Sequence, residues 1–312
     1  MNDYTLFGWR VQSALPLPEL RPWHGDDRLP DLTIAVGAVP PVDPTLPAQT
    51  PGVQVQSQGL RVAIPQVANY LIAAGRHVTI APLLPRDALL IRVFLLGTVL
   101  ALICFQRGLV PLHASAVDIG GRALLISGAS GAGKSTLAAA FSAQGYRLLG
   151  DDLCALQLDE GQPLRILSAF PRVKLWDDSA RQLQVSTDDL DRSREGLEKF
   201  NLPLPETRFQ PDALPPAQIV FLKTEPDGQL AAPHPLVGFA AMRRHDLVHR
   251  WKLGAALGYQ PLIFKAMARL ADRVPMVDVS RSEDLADLPA LVDRIRALAE
   301  HPVSDSPARS SE

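Results

Sequence analysis

The chain has 312 residues, of which 47% are hydrophobic and 21% charged, with 31 Lys and Arg against 33 Asp and Glu and a formal net charge of −2. That size and apolar content support one large or two modest buried cores, and the near-even charge without a block of like charges argues against a nucleic-acid track or an acidic tail. Only two cysteines are present, Cys104 and Cys154, each within an apolar run, which excludes a disulfide framework and a zinc cluster and fits a cytoplasmic protein with reduced thiols.

Residues 1–108 read as a strand-rich N-terminal domain. The opening MNDYTLFGWR has no apolar core of the kind a secretory signal carries. YTLFGWRVQSA, DLTIAV, GVQVQ, LRVAI and HVTIA are short β-type runs separated by Pro, Gly and Asp, with PLPEL and VPPVDPTLPAQTPG as turn and loop material. The segment ALLIRVFLLGTVLALICF, residues 88–105, is the most membrane-like stretch. Arg92 interrupts it, and the part after the arginine falls short of the roughly 20 residues a spanning helix needs. The reading is a buried helix from about Arg86 to Gln106, ending at Gly108 and connecting to the next domain, with no membrane association.

Residues 109–300 change pattern. LVPLHASAVDI is a strand candidate, Gly120 and Gly121 a hairpin turn, and RALLIS the returning strand that runs into a glycine-rich loop. A helix from Lys134 to Gln144, stopped by Gly145, leads to the strand YRLLG and to Asp151 and Asp152. Further strands are expected at LCALQL, LRILSA and AQIVFLK, a long loop with little regular structure at 197–216, and an amphipathic helix over EDLADLPALVDRIRALAEH. Residues 301–312 read as a disordered tail. The whole is an α/β chain in two domains, the second carrying the chemistry.

Gly128, Gly133, Lys134 and Ser135 satisfy GxxxxGK[ST] after a strand and at the start of a helix, the context that gives the motif meaning. Backbone N–H groups of Gly128, Ala129, Ser130, Gly131, Ala132 and Gly133 would curl around phosphates at a helix N-terminus carrying roughly half a positive charge. Lys134 would neutralise β- and γ-oxygens, while Ser135 and Thr136 open the helix and Ser135 offers a hydroxyl to Mg²⁺. The other reading, a glycine-rich helix start without a ligand, explains neither the lysine nor the hydroxyl. Asp151 and Asp152 end a strand expected beside the loop's own strand, where one carboxylate could hold Mg²⁺ and the other accept a proton. Strand alternation would let only one of them face the phosphate, and a plain turn is the alternative. His113, in the strand entering the domain, reads equally as a site residue or as a hydrogen-bonded core histidine.

The run LHASAVDIGGRALLISGASGAGKSTLAAAFSAQGYRLLGDDLCAL resembles the C-terminal catalytic domain of bacterial HPr kinase/phosphorylases, which share a phosphate-transfer fold with phosphoenolpyruvate carboxykinase. In that family a histidine precedes the P-loop and an Asp pair follows its helix. Here His113 stands 22 positions before Ser135 and Asp152 stands 17 after it. The resemblance implies that Lys134 binds and polarises ATP phosphates, that Ser135 ligates Mg²⁺, that Asp152 takes the proton of a serine hydroxyl, and that Asp151 and His113 support charge and metal. Closer still are the short HPr kinase-like proteins of proteobacteria, which include lasso-peptide tailoring kinases. That likeness is carried by YTLFGWRVQSALPLPEL, LHASAV, the P-loop, the Asp pair, and Pro171, Lys174, Leu175 and Trp176.

The departures bear on particular roles. The full regulators carry a glutamate and arginine signature after the Asp pair, where this chain reads LSAFPRVKLWDDS. Under the resemblance, Asp177 or Asp178 would have to stand in for the metal-binding glutamate, and Lys199 or Arg208 for the family's downstream arginine. Lys174 and Trp176 read either as a nucleotide or substrate surface or as an edge strand. Arg243, Arg244, Arg250 and Lys252 read as the wet face of an amphipathic helix or as a dock for an acidic partner. The expected function is an ATP-dependent serine kinase using ATP and Mg²⁺ on a protein or peptide acceptor recognised by the N-terminal domain, with homo-oligomers known in the family. The alternatives are a small-molecule phosphotransferase and a non-catalytic ATP-binding regulator.

Overall fold

The computed structural model describes residues 1–193, 196–225 and 231–300; the tail expected at 301–312 lies outside the described residues. The fold is mixed α/β with several sheets. A nine-stranded sheet runs, from edge to edge, through Arg21–Pro22, Asn2–Leu6, Trp9–Ser13, Leu32–Val36, His77–Pro82, Ala68–Ala73, Gly59–Ile64, Val53–Gln56 and Ala48–Thr50. Its first hairpin turns on Phe7 and Gly8, both with positive φ (56° and 77°), the backbone that a two-residue turn between twisted strands demands. The strands at Ala68–Ala73, Ala48–Thr50 and Arg21–Pro22 were not expected. The first alternates strictly between buried and half-buried positions, but its alanines and asparagine are poor β-formers, so composition masks the period.

A continuous helix over Leu89–Gln106, with a π turn at Leu95–Val99, lies against this sheet. By length and composition it could cross a membrane, and 61% of its apolar window is buried within the protein. Ile91, Leu95, Leu96, Val99 and Ile103 join Val62, Tyr70 and Ile80 in one apolar cluster, and Tyr70 Oη donates to Ile91 O at 3.0 Å. Cys104 and Cys154 are buried, free thiols whose ionisation burial opposes.

A six-stranded sheet orders Leu148–Gly150, Ser115–Ile119, Arg122–Gly128, Pro216–Glu225, Met276–Ser282 and His234–Leu236. Arg122–Gly128 is parallel to Pro216–Glu225, and that strand to Met276–Ser282. Helices Lys134–Ala143 and Leu288–Glu300 cover one face, and Gln260–Arg273 covers the other, so the central strands are buried on both sides and read as continuous apolar runs. A three-stranded sheet of Val110–Leu112, Cys154–Gln157 and Arg165–Leu167 and a ribbon of Arg172–Trp176 with Lys199–Pro203 complete it.

Four local expectations are corrected. LVPLHASAVDI is two strands in different sheets, broken at His113 and Ala114, because His113 N donates to Leu247 O (2.7 Å) instead of to a strand neighbour. The strand leading to the Asp pair does not adjoin the strand before the glycine loop; Ser115–Ile119 lies between them, antiparallel to both, so the two still end on the same sheet edge. The expected loop at 197–216 contains a regular strand, Lys199–Pro203, paired along its length with Arg172–Trp176. MRRHDLVHRWK is no single helix: a short turn at His245–Leu247 and left-handed backbone at Arg250 (φ 57°) separate Gly238–Met242 from Trp251–Ala256.

The nine-stranded sheet shares its core with later segments. Leu153, Ala155, Leu167, Ala169 and Phe170 belong to the same apolar cluster as Leu15, Leu17 and Ile34, and Phe7 N donates to Ser168 O at 3.1 Å. Phe170 is fully buried there, with the Arg172 guanidinium 4.9 Å from its ring centroid. Phe170→Ala is expected to lower unfolding free energy by about 3–5 kcal/mol in urea titration; a change below about 1 kcal/mol would show that this junction carries no packing energy.

Candidate functional site

The glycine-rich loop joins strand Arg122–Gly128 to helix Lys134–Ala143. Gly128 (φ 145°) and Gly133 (φ 94°) hold backbone that side chains rarely adopt, and a Cβ at Gly128 would stand 2.5 Å from Leu222 O. Glycine is therefore required for the loop to turn while its strand stays paired to Pro216–Glu225. Lys134 bends back over the loop, donating to Gly128 O (2.9 Å) and Ala129 O (3.0 Å). Burial lowers its pKa, opposed by the charges of Asp151 and Asp152. Ser130, Gly131, Gly133, Ser135 and Thr136 line the cleft above the helix start, whereas the carbonyl of Ala132 is turned to Arg281. Thr136 Oγ1 is 2.8 Å from Ser179 Oγ inside the protein.

Asp151 and Asp152 both turn toward this helix start. The strand ends at Gly150, and Asp152 takes a left-handed conformation (φ 70°), so the alternation of an extended strand no longer sends the two side chains to opposite faces. Asp151 is buried and accepts three hydrogen bonds: from Ser115 Oγ (2.6 Å) and Ser135 Oγ (2.9 Å) on Oδ1, and from Lys174 N (2.9 Å) on Oδ2. Asp152 pairs with Lys174 Nζ at 2.7 Å and lies 3.7 Å from His113 Nε2. Burial pushes the Asp152 carboxyl up, but the charge and hydrogen bond of Lys174, with smaller help from His249 and His113, hold it below the usual carboxylate range.

His113 sits at the break between two strands, its side chain 30% exposed. Burial and the Lys134 charge lower its pKa against the pull of the two aspartates, so it is neutral at pH 7. A second histidine, His249, meets it edge-on with ring centroids 5.6 Å apart, and burial lowers its pKa to about 4. His249 was not anticipated. Nothing in the sequence spacing links it to His113; a long-range backbone bond, His249 N to Pro111 O (2.9 Å), puts it there.

Around the cleft stand Lys174, Trp176, Lys199, Asp178 and Arg281. Lys199 pairs with Trp176 across the ribbon and holds its ammonium 5.6 Å from the indole ring. Asp178 lines the cleft, while Asp177 is engaged by Arg181 and does not. Arg208 lies beside Gly145, at the far end of the helix from the glycine loop, and takes no part. Arg243 is exposed, and Arg244 is tied to Asp246 and Asp278. Arg281, donating to Ala132 O at 2.7 Å, was missed. Its position at the end of a strand on the loop's sheet edge is the signal that could have found it.

Among the described residues, no group of three or more His, Cys, Asp or Glu is arranged to hold a metal ion. Ser135 Oγ and Asp151 Oδ1, 2.9 Å apart, nevertheless fit a magnesium ion that arrives on a nucleotide. Such an ion takes most of its octahedral shell from phosphate and water and needs only one or two oxygens from protein.

No protein-family model matches the chain, and no curated protein matches it. Among solved structures, that of the Hpr(Ser) kinase/phosphatase from Coxiella burnetii is similar over 59% of this chain and 92% of its own, at 12% sequence identity and a TM-score of 0.33. A TM-score that low carries no weight for function, which has to come from the residues of the site.

The Lys174 pair is what keeps Asp152 ionised. In Lys174→Met the charge is lost and burial remains, so the Asp152 carboxyl pKa, followed by carbon-13 NMR titration, is expected to rise by at least about one unit. An unchanged value would show that Lys174 does not set it.

Proposed function

We propose that the chain is an ATP-dependent serine kinase of the HPr kinase-like type, cytoplasmic, acting on a protein or peptide acceptor. One observation carries this reading: Ser135 and Asp151 meet at the start of the glycine-loop helix while Asp152, turned by its left-handed backbone, faces the same cleft. A nucleotide-binding module needs the loop and the lysine but has no use for a second, ionised carboxylate. The spacing of His113, Ser135 and Asp152, which resembles that of the HPr kinases, supports the same reading.

The loop amides and the helix N-terminus would take the phosphates, with Lys134 leaving its loop carbonyls to neutralise the β- and γ-oxygens. Ser135 and Asp151 would hold Mg²⁺, which when bound offsets charge between those phosphates. An apolar cavity lined by Leu137, Leu288 and Leu291 shares Gly133, Thr136 and Arg281 with the phosphate cleft and would house the base. The serine oxygen bonds to the γ-phosphorus as the bond from that phosphorus to ADP breaks with its electron pair, and the serine proton passes to Asp152. A carboxylate held ionised by Lys174 is a weak base. In-line phosphoryl transfer through a loose transition state asks for orientation and late proton acceptance, not strong deprotonation. Neutral His113 borders the carboxylate at 3.7 Å, and Lys199 and Arg281 place further positive charge at the cleft in the role of the family's missing arginine.

Purified protein with labelled ATP and Mg²⁺ is expected to form stable phosphoserine on an acceptor. Label in a low-mass product would indicate a small-molecule phosphotransferase, and thermal protection by ATP without transfer a regulator. Asp152→Asn is expected to reduce transfer by about 10²–10⁴-fold with ATP affinity unchanged within about threefold, whereas Lys134→Ala weakens both. Equal transfer by Asp152→Asn and the parent would remove Asp152 from the mechanism.

A further inference from the structure

A second groove opens beside the phosphate cleft. One wall is the edge region of the nine-stranded sheet, including Val62, Ala63 and Ile64; the other is the segment from Asp246 to Leu253, with Phe94 of the long helix between them. His113 lines both the groove and the phosphate cleft, so the two meet at the histidine that borders Asp152. His249 lines the groove beside His113, and its Nε2 is buried without a hydrogen-bond partner among the described residues.

The chemistry of the groove is uneven. Val53, Val62 and Val248 make its floor apolar and buried. Its rim carries Arg250 and Lys252, both exposed and neither in an ion pair among the described residues. The carboxylate at the rim, Asp246, is already taken by Arg244 at 2.9 Å. The rim therefore presents two uncompensated positive charges above an apolar floor. The left-handed backbone at Arg250 sets the chain direction there and starts the helix Trp251–Ala256 against the Ala48–Thr50 edge region. That helix packs against the edge strand and walls the groove on that side.

We infer that this groove is the acceptor site, and that it selects an extended peptide segment with an apolar residue and an acidic residue flanking the accepting serine. The inference rests on the kinase reading above and adds what that reading leaves open: how the acceptor arrives, and what the nine-stranded sheet contributes. An apolar side chain fills the floor, a carboxylate meets Arg250 and Lys252, and the serine between them is delivered past His249 and His113 to Asp152. The P-loop cleft presents the γ-phosphoryl group beside the same carboxylate, so the serine oxygen can meet phosphorus directly while its proton passes to Asp152. Opposite charge at the rim tunes encounter and choice of partner more than the transfer step itself.

The test uses the full chain, ATP, Mg²⁺ and a serine-centred peptide library with randomised flanking positions, phosphoserine being located by mass spectrometry. The parent is expected to enrich Asp or Glu with Leu, Val or Phe around the serine by roughly fivefold or more. Arg250→Glu with Lys252→Glu should raise KM for a selected acidic peptide about tenfold and shift the enrichment toward Lys and Arg, with ATP affinity by calorimetry unchanged. Ala63→Glu, on the opposite wall, should raise KM for the same peptide without reversing the preference. Enrichment unchanged by the charge reversal, or serine phosphorylation without flanking preference, would overturn the groove assignment while leaving the kinase standing. Absence of phosphoserine on every peptide, with label appearing in a small molecule, would overturn both.

Discussion

The site depends on the backbone of one residue. Asp152 adopts φ 70° immediately after the strand Leu148–Gly150 ends, a conformation that an L-residue enters at a cost of about 1–2 kcal/mol and that aspartate tolerates better than most. Extended backbone there would send one carboxylate into the protein and the other out. The left-handed turn brings both to the helix that follows the glycine loop, and the strain is offset by the contacts the two side chains then make. Strained backbone at a site with a use for it is a common pattern.

Those contacts tie four segments together. Asp151 collects Ser115 from the strand after the sheet change, Ser135 from the helix start, and the backbone of Lys174 from the two-stranded ribbon. Lys174 contributes twice, its N–H fixing Asp151 and its ammonium holding Asp152. The ribbon is therefore the clamp that positions the pair, and its partner strand brings Lys199 to the mouth of the same cleft. A buried carboxylate whose oxygens accept three hydrogen bonds is held rigidly, which suits the proposed sharing of a metal with an incoming phosphate.

Local features were legible and distant ones were not. The glycine loop, the helix behind it and the turn at Gly120 and Gly121 are fixed by positive φ and by the strand-to-helix switch in periodicity, all encoded within a few residues. A shared role for His113 and the Asp pair was only what the family resemblance implied, since the residues alone left His113 open between site and core, and their mutual geometry was not encoded locally. His113 reaches the site because Leu247 intercepts its N–H and ends the first strand early, a pairing made across more than 130 residues. His249 and Arg281 arrive by the same kind of long-range contact. The strand at Lys199–Pro203 was hidden because the prolines around it suggest a loop; its pairing with Arg172–Trp176, and the bonds from Ser193 N to Lys199 O (2.6 Å) and from Asn201 N to Asp191 O (2.8 Å), are contacts that local composition does not announce. Arg244 looked like a free surface charge until the fold set it against Asp278 and the ring of Phe221.

The most direct test is a crystal structure with Mg²⁺ and a non-hydrolysable ATP analogue. The account predicts metal density bridged by Ser135 Oγ and Asp151, and the Asp152 carboxylate within about 5 Å of the γ-phosphorus with an open path between them. A carboxylate directed away from the γ-phosphate, with no metal at Ser135, would contradict it and leave a protein that captures a nucleotide without transferring from it.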